Sequence, residues 1–394
     1  ALGSVSPAFL DAERRTLYVA VQYPGVIAHI AALGIDSGEL RQVAEVKGPA
    51  LYFVCSLTRD PETGTVFYTT DNNEWRDLWA CDPTTGRSRR LIKDARIGDL
   101  AFNRSDRSLW GIRHFNGYST VVRLPYPYDE WNQIATLPYG RDIYDLDVSP
   151  DGSLLAGSIA EIDGRQSLRL FHLETLAAGD TTSRRLFDFG SAIPEGFVFA
   201  PDGRRLYGSS YYTGVSNIFC YDLEADSMGV VTNAETGFFR PVPLMGDSLI
   251  VFRYGGQGFV PAIIEAKPVR DVSAVTFLGA ELVGKHPVLK TWKAPPPSVV
   301  NLDSLIVQKG TYPGLRALGL ASIYPIIEAY KDYGSPGLRI DLSDPLQMHR
   351  FDLSVSHTPH ALVSEKERWH AKLGYRRWDL NLQLRWNPAS FYDL

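Results

Sequence analysis

Cysteine and methionine are both scarce, with three of each in 394 residues. Cys55, Cys81 and Cys220 are too few and too scattered for a disulfide framework or a tetrahedral zinc site, and read as small buried hydrophobes. Nothing approaches the run of about 18 apolar residues that a membrane-spanning helix requires. Neither sign of charge dominates: 40 Lys and Arg stand against 45 Asp and Glu, net −5, which leaves no electrostatic footprint for nucleic acid. Common catalytic signatures are missing too. There is no GxSxG nucleophile elbow and no HExxH zinc helix. The "GGQG" at 255 lacks the lysine and following helix of a phosphate cradle and reads as a turn. His357 and His360 in "HTPH", separated by a proline and without acidic or thiol neighbours, read as a turn rather than a metal pair, and His349 and His370 as lumen or interface residues. No metal or cofactor is expected. The chain starts neither with Met nor with a charged, apolar, small-residue leader, so a leader has been removed or the chain is an internal piece.

What is abundant is aromatic: 20 Tyr, 18 Phe and 8 Trp, a bias toward β structure. The length exceeds one ordinary core and implies two domains. A repeat fills the first 280 residues. "VSPDGSLLAGS" at 148 returns as "FAPDGRRLYGSS" at 199, with weaker copies at 9, 57, 102 and 244. The apolar anchors after the turn are Leu17, Val66, Leu109, Leu154, Leu206 and Leu249, spaced by 49, 43, 45, 52 and 43 residues. A drifting period in the forties belongs to β-propeller blades. Each unit reads as four short strands, the fourth as "IYDLDVS", "LLAGSIAE", "SLRLFHLE" and "RRLFDFG". Asp and Gly suit the turn between the first two, since Asp bonds its own following backbone and Gly accepts positive φ. One blade cannot bury both faces, and radial stacking solves this. Six anchors give about six blades over residues 1–285.

"SPDGSLLAGS" with "SLRLFHLE", and "APDGRRLYGSS" with "SNIFCYDL", resemble the WD40-like repeats of TolB-type propellers. The resemblance implies a fold and a cell-envelope setting but no chemistry, because in that family the Asp and Gly shape a turn.

A linker over 286–310, with three prolines at 295 to 297, stiffens the chain after the repeat. In residues 311–394, "TYPGLRALGLASIYPIIEAYKDYGSPG" is followed by a series of alternating segments. Phe351, Leu353 and Val355 face one way and Arg350, Asp352 and Ser354 the other; "RWHAKLGYR" alternates in the same manner. In "WDLNLQLRWN", at 378–387, Trp378, Leu380, Leu382, Leu384 and Trp386 share a face, and the two indoles lie about 26 Å apart along a strand. A soluble half-buried sheet also alternates. Charges filling the other face, with indoles at both ends, favour instead an outer-membrane strand with lipid on one side and a polar lumen on the other. "YPGLRAL" from Tyr312, "LRIDLSDPLQMHRFDLSVSH" and "WDLNLQLRWNPASFYDL" resemble the lead-in to the barrel of bacterial surface-antigen-type proteins that carry a TolB-like propeller in front. Only four to six strands are expected, whereas small membrane barrels need about eight. The chain is therefore expected to be a piece of a longer protein.

The fold expected is all-β: a six-bladed propeller followed by a partial antiparallel sheet, the first strands of an outer-membrane-type barrel. The loops leading into the innermost strands should share one channel mouth, bringing together Arg96, Arg141, Asp142, Glu195 and Arg240. Guanidiniums there would hold an acidic peptide tail or a glycan carboxylate, or else only pair among themselves. The leading reading is a non-enzymatic envelope protein whose propeller binds a protein or peptide, attached to a barrel in outer-membrane lipid. The alternatives are a propeller that gates an envelope peptidase encoded outside this chain, and a soluble secreted propeller in which protein packs the Trp faces.

Overall fold

The repeated Asp-Gly turns set the hairpins. In "SPDG", the Asp151 carboxylate accepts the Ser149 and Ser153 hydroxyls at 2.5 and 2.7 Å and the Ser153 N–H at 3.1 Å. Gly152 then adopts φ +76°. A Cβ there would stand 2.3 Å from Ser105 Oγ of the preceding repeat, so the turn needs glycine for space as well as for φ. The "APDG" copy repeats the device, with Gly203 at φ +71° and the Arg204 N–H on Asp202.

The computed structural model describes residues 2–23, 25–46, 54–72, 75–269, 278–292 and 302–390. The chain divides into two compact units, 1–300 and 301–394. In the first, residues 4–265 form six consecutive antiparallel sheets, each wound outward in chain order. Five have four strands; the sixth, residues 238–265, has three among the described residues. Their innermost strands are Ser4–Asp11, Val54–Arg59, Ile97–Asn103, Asp142–Val148, Pro194–Phe199 and Phe238–Pro243. Each packs beside the next, and the sixth returns to the first. The unit is a closed six-bladed β-propeller.

The core consists of six apolar layers between adjacent blades. Phe67, Ile97 and Leu109 join blades two and three; Trp110, Ile143 and Phe171 join three and four; Phe189, Phe197 and Phe219 join four and five. Closure is made by Val19, Val21, Ile250 and Phe252 between blades one and six, with the Leu2 N–H donating to the Phe259 carbonyl at 2.7 Å. Cys81 is buried and unbridged, and Cys220 partly so.

All six innermost strands carry a β-bulge. Such a residue re-aims its side chain and bends the strand. Here the bulges tie one blade to the next: the Leu100 N–H donates to Ser56 Oγ at 2.9 Å, the Gly196 N–H to Asp145 at 2.8 Å and the Phe199 N–H to Asp147 at 2.7 Å.

After the propeller come two short helices, Leu278–Lys285 and Leu302–Leu305, with a 3-10 turn at Pro287–Thr291. The prolines at 295 to 297 and the terminal "FYDL" lie outside the described residues. The second unit is one antiparallel sheet of five strands in chain order: Gly319–Tyr330, Tyr333–Ser343, His349–His357, Trp369–Arg377 and Leu380–Trp386. Trp378 does not lie in the last strand as the alternation implied. With Asp379 it makes the turn, because the Arg377 guanidinium closes onto Asp379 at 2.9 and 3.1 Å. The "SDPLxxH" stretch also gains a physical reason. Asp344 accepts the His349 N–H at 2.5 Å, the Leu346 N–H at 3.2 Å and the Tyr312 hydroxyl, which pins the "YPG" lead-in to the loop after the second strand.

Candidate functional site

Register shows how this sheet sorts its side chains. Ile323, Ile340, Leu353, Leu373 and Leu384 pair in one row across all five strands, and Pro325, Leu338, Val355, Ala371 and Trp386 in the next. The opposite face carries Tyr324, Arg339, Ser354, Lys372 and Arg385 in register. Polarity is inverted: among the described residues the buried side chains in this unit are Ser335, Asp344, Ser354, Ser356, Thr358 and His370, with only Ala329 and Val363 apolar, besides Gly374. Ile323, Leu373, Leu384 and Trp386 are exposed. The buried polar groups satisfy one another. His370 Nε2 meets Thr358 Oγ1 at 2.7 Å, His370 Nδ1 meets the Asn387 carbonyl at 2.6 Å, and Ser356 donates to Glu328 at 2.8 Å. Ser390, beyond the last strand, pairs both ways with Ala329 of the first strand, so the sheet curls around its polar face over a cavity lined by Glu328, Ser354, His370, Lys372 and Arg385.

In the propeller, the mouth at the start of the innermost strands differs from the opposite end. The hairpin between the second and third strands opens there in every blade, and each presents an exposed apolar side chain: Ile27, Trp75, Phe115, Ile162, Tyr211 and Tyr254. Tyr139, from a loop between blades, meets Tyr118 edge-on at 5.5 Å. Among the described residues the far end exposes Leu40, Tyr126, Ile263 and Met245 without a comparable ring of aromatics. This aromatic rim escaped sequence reading because single exposed rings on hairpins leave no period.

The five residues singled out from sequence all lie at this mouth, and most are paired. Arg141 forks onto Glu161 at 2.9 and 2.8 Å. Arg240 Nε and Glu195 meet at 3.5 Å. Asp142 accepts the Ser119 hydroxyl and stands 3.7 Å from His114 Nδ1. Arg96 instead lies over the Trp75 ring at 3.4 Å. Ser119, His114 and Asp142 do not form an activated nucleophile. The buried hydroxyl donates to the carboxylate, and both partners crowd the same imidazole nitrogen, whereas activation needs serine and acid on opposite ring nitrogens. Among the described residues, no three His, Cys, Asp or Glu side chains converge to hold a metal ion.

Beneath the mouth lie Asp99, Asp145 and Asp147, the last two in the strand read from "IYDLDVS", none of them singled out from sequence. Protein hems in Asp145, and this burial, reinforced by the Asp99 charge, pushes its carboxyl up to about 7 against the Gly196 N–H. Burial likewise pushes Asp147 up to about 7, opposed by the Phe199 and Val148 N–H groups. Each remains partly exposed. A raised folded-state pKa means the folded chain binds the proton more tightly. The associated stability is present below the usual carboxylate range near ~4 and is lost as pH rises through about 7. Asp147→Asn keeps an oxygen for the Phe199 N–H and removes the charge, so it should stabilise the propeller at pH 8 by roughly 1–2 kcal/mol and hardly change it at pH 4. Thermal unfolding at both pH values checks this; equal shifts at the two would rule out the titration.

No protein-family model matches the chain, and no curated protein matches its sequence. Solved structures do. TolB from Acinetobacter baumannii aligns at TM-score 0.53 with 15% identity, over 65% of this chain and 62% of that one, so less than two thirds of that protein is matched. A gluconolactonase from Xanthomonas campestris aligns at TM-score 0.50 with 16% identity, over 65% of this chain and 84% of that one. At such identities the likeness is one of fold, and one fold hosts both proteins.

Proposed function

We propose that the protein is a non-enzymatic component of a bacterial cell envelope, its propeller a binding platform for a protein or peptide, its C-terminal strands the opening of an outer-membrane β-barrel in contact with lipid. The observation that carries this reading is the inverted polarity of the five-stranded sheet. A soluble sheet turns its leucine rows onto a second layer. Here those rows are open while histidine, serine and threonine are enclosed, the distribution expected where the outer solvent is hydrocarbon and the lumen is polar. Strands of 7 to 12 residues bracket the length of about 9–11 that crosses a bilayer. The resemblance of the repeats to TolB-type propellers supports the envelope setting, and the aromatic rim supports a binding role for the mouth, since rigid scaffolds present recognition residues on loops. In this reading Arg141, Asp142, Glu195 and Arg240 shape the mouth through their pairs, leaving Arg96 and the rings to meet the partner.

Extraction of expressing cells tests the attachment. Retention of the chain in the outer-membrane fraction after alkaline carbonate is the expected result; release into the soluble fraction would overturn the barrel.

A further inference from the structure

Two guanidiniums on this mouth have aromatic partners but no carboxylate among the described residues. Arg96 is stacked between Trp75 at 3.4 Å and Phe115 at 4.5 Å. Arg113 lies over the same Phe115 at 5.0 Å and over Trp131 at 4.9 Å, with its Nε buried and without a hydrogen-bond partner. Burial and the neighbouring Arg96 charge both press the Arg113 pKa downward. Described ionisable groups nearby have their own partners: Arg76 with Asp71, His114 with Asp142, and Asp94 with Asn72 and Lys93. The Arg96 backbone is itself strained, at φ +58°, and is clamped in place by its N–H on the Arg76 carbonyl at 2.9 Å and its carbonyl accepting from the His114 N–H at 3.0 Å. Blades two and three together therefore hold a non-glycine residue in a left-handed conformation, with its side chain over an indole.

Two like charges that share one ring repel, and a cation–π contact at an exposed site is too weak to neutralise them. Stacking also occupies the face of a guanidinium and leaves its in-plane N–H edge free. That edge matches a planar carboxylate through two parallel hydrogen bonds. We propose that Arg96, Arg113, Trp75 and Phe115 form a recognition site for a carboxylate carried by an acidic protein segment, the half-exposed Trp75 and Phe115 rings covering apolar side chains that flank the acid. The inference rests on the binding-platform part of the proposed function and is independent of the membrane attachment.

The probe is a fluorescein-labelled peptide of alternating Glu and Leu, followed by anisotropy with the whole chain. Saturable binding is expected. R96Q/R113Q should weaken it at least about tenfold, the value of a charge-assisted pair, and R96K should weaken it as well, because an ammonium keeps the charge but loses the fork. Thermal unfolding of each variant distinguishes loss of the site from loss of fold. R204Q, at the Asp-Gly turn on the opposite end of the propeller, where the guanidinium meets Glu224 at 3.6 Å, should leave the affinity unchanged. Equal affinity of the wild type and the folded double variant would overturn the site. Competition by inorganic phosphate at concentrations matching the peptide would overturn its assignment to carboxylate. A failed carbonate extraction would sink the barrel without touching this result.

Discussion

Phe189→Ala should lower the stability of the propeller by about 3–5 kcal/mol, the range for deleting a fully buried aromatic side chain. Phe189 is 1% exposed and is the hub of the layer between blades four and five. Its ring meets Phe187 at 4.8 Å, Tyr212 at 5.7 Å and Phe219 at 5.8 Å edge-on, and Phe197 at 5.7 Å. These arrangements place ring edges against ring faces, which adds to simple burial. Collapse cannot refill the space cheaply, because Phe197 already fills the position beside Gly208, where even a Cβ would stand 2.2 Å from its ring. The loss amounts to roughly a fifth or more of a typical domain's total stability of about 5–15 kcal/mol. Tyr212 rests on Phe187 at 5.5 Å and on Phe189, so the mouth in blade five loosens as well. Denaturant unfolding of both proteins measures the effect; a difference under about 1 kcal/mol would mean that the layer repacks and that blade contacts are not specified by these rings.

The parts of this architecture that were legible in sequence are those that repeat. "SPDG" and "APDG" could be read because an Asp-Gly turn has one chemistry wherever it occurs, and the strands flanking it follow from alternation. The ring of six blades follows from the spacing of Leu17 through Leu249. The five strands fall within the four to six expected, but Gly319–Tyr330 and Tyr333–Ser343 could not be read one by one, since Pro325 and Pro336 interrupt their pattern. The structure accommodates Pro325 because its strand is the edge of the sheet. Within the mouth, sequence marked the correct loops without their pairing. Arg141 finds Glu161 across a hairpin, and nothing in "YGRD" announces it. Trp75 and Phe115 left even less trace. Their role depends on Arg96 standing between them, and that depends on two blades meeting.

The polarity of the second unit is open to a sharper test, because its two explanations predict opposite signs. Leu373 and Leu384 are paired in register on the apolar face, and both are exposed. If that face meets hydrocarbon, arginine at each site should cost about 2–4 kcal/mol near the midplane, and L373R/L384R should drive the chain out of the carbonate-resistant fraction. If it meets water, the same substitution replaces exposed leucines by a soluble side chain, shifts stability by no more than about 0.5 kcal/mol and reduces aggregation. Gln383→Arg supplies the control. It lies one residue from Leu384, on the polar face opposite Gly374, where a lumen accepts charge, so retention should be unchanged. Loss of retention for L373R/L384R, and in part for L384R alone, but not for Gln383→Arg is the outcome that hydrocarbon contact requires, because L384R and Gln383→Arg add the same charge to the same strand on opposite faces. Equal retention of all three variants would mean that the leucine rows face something other than lipid.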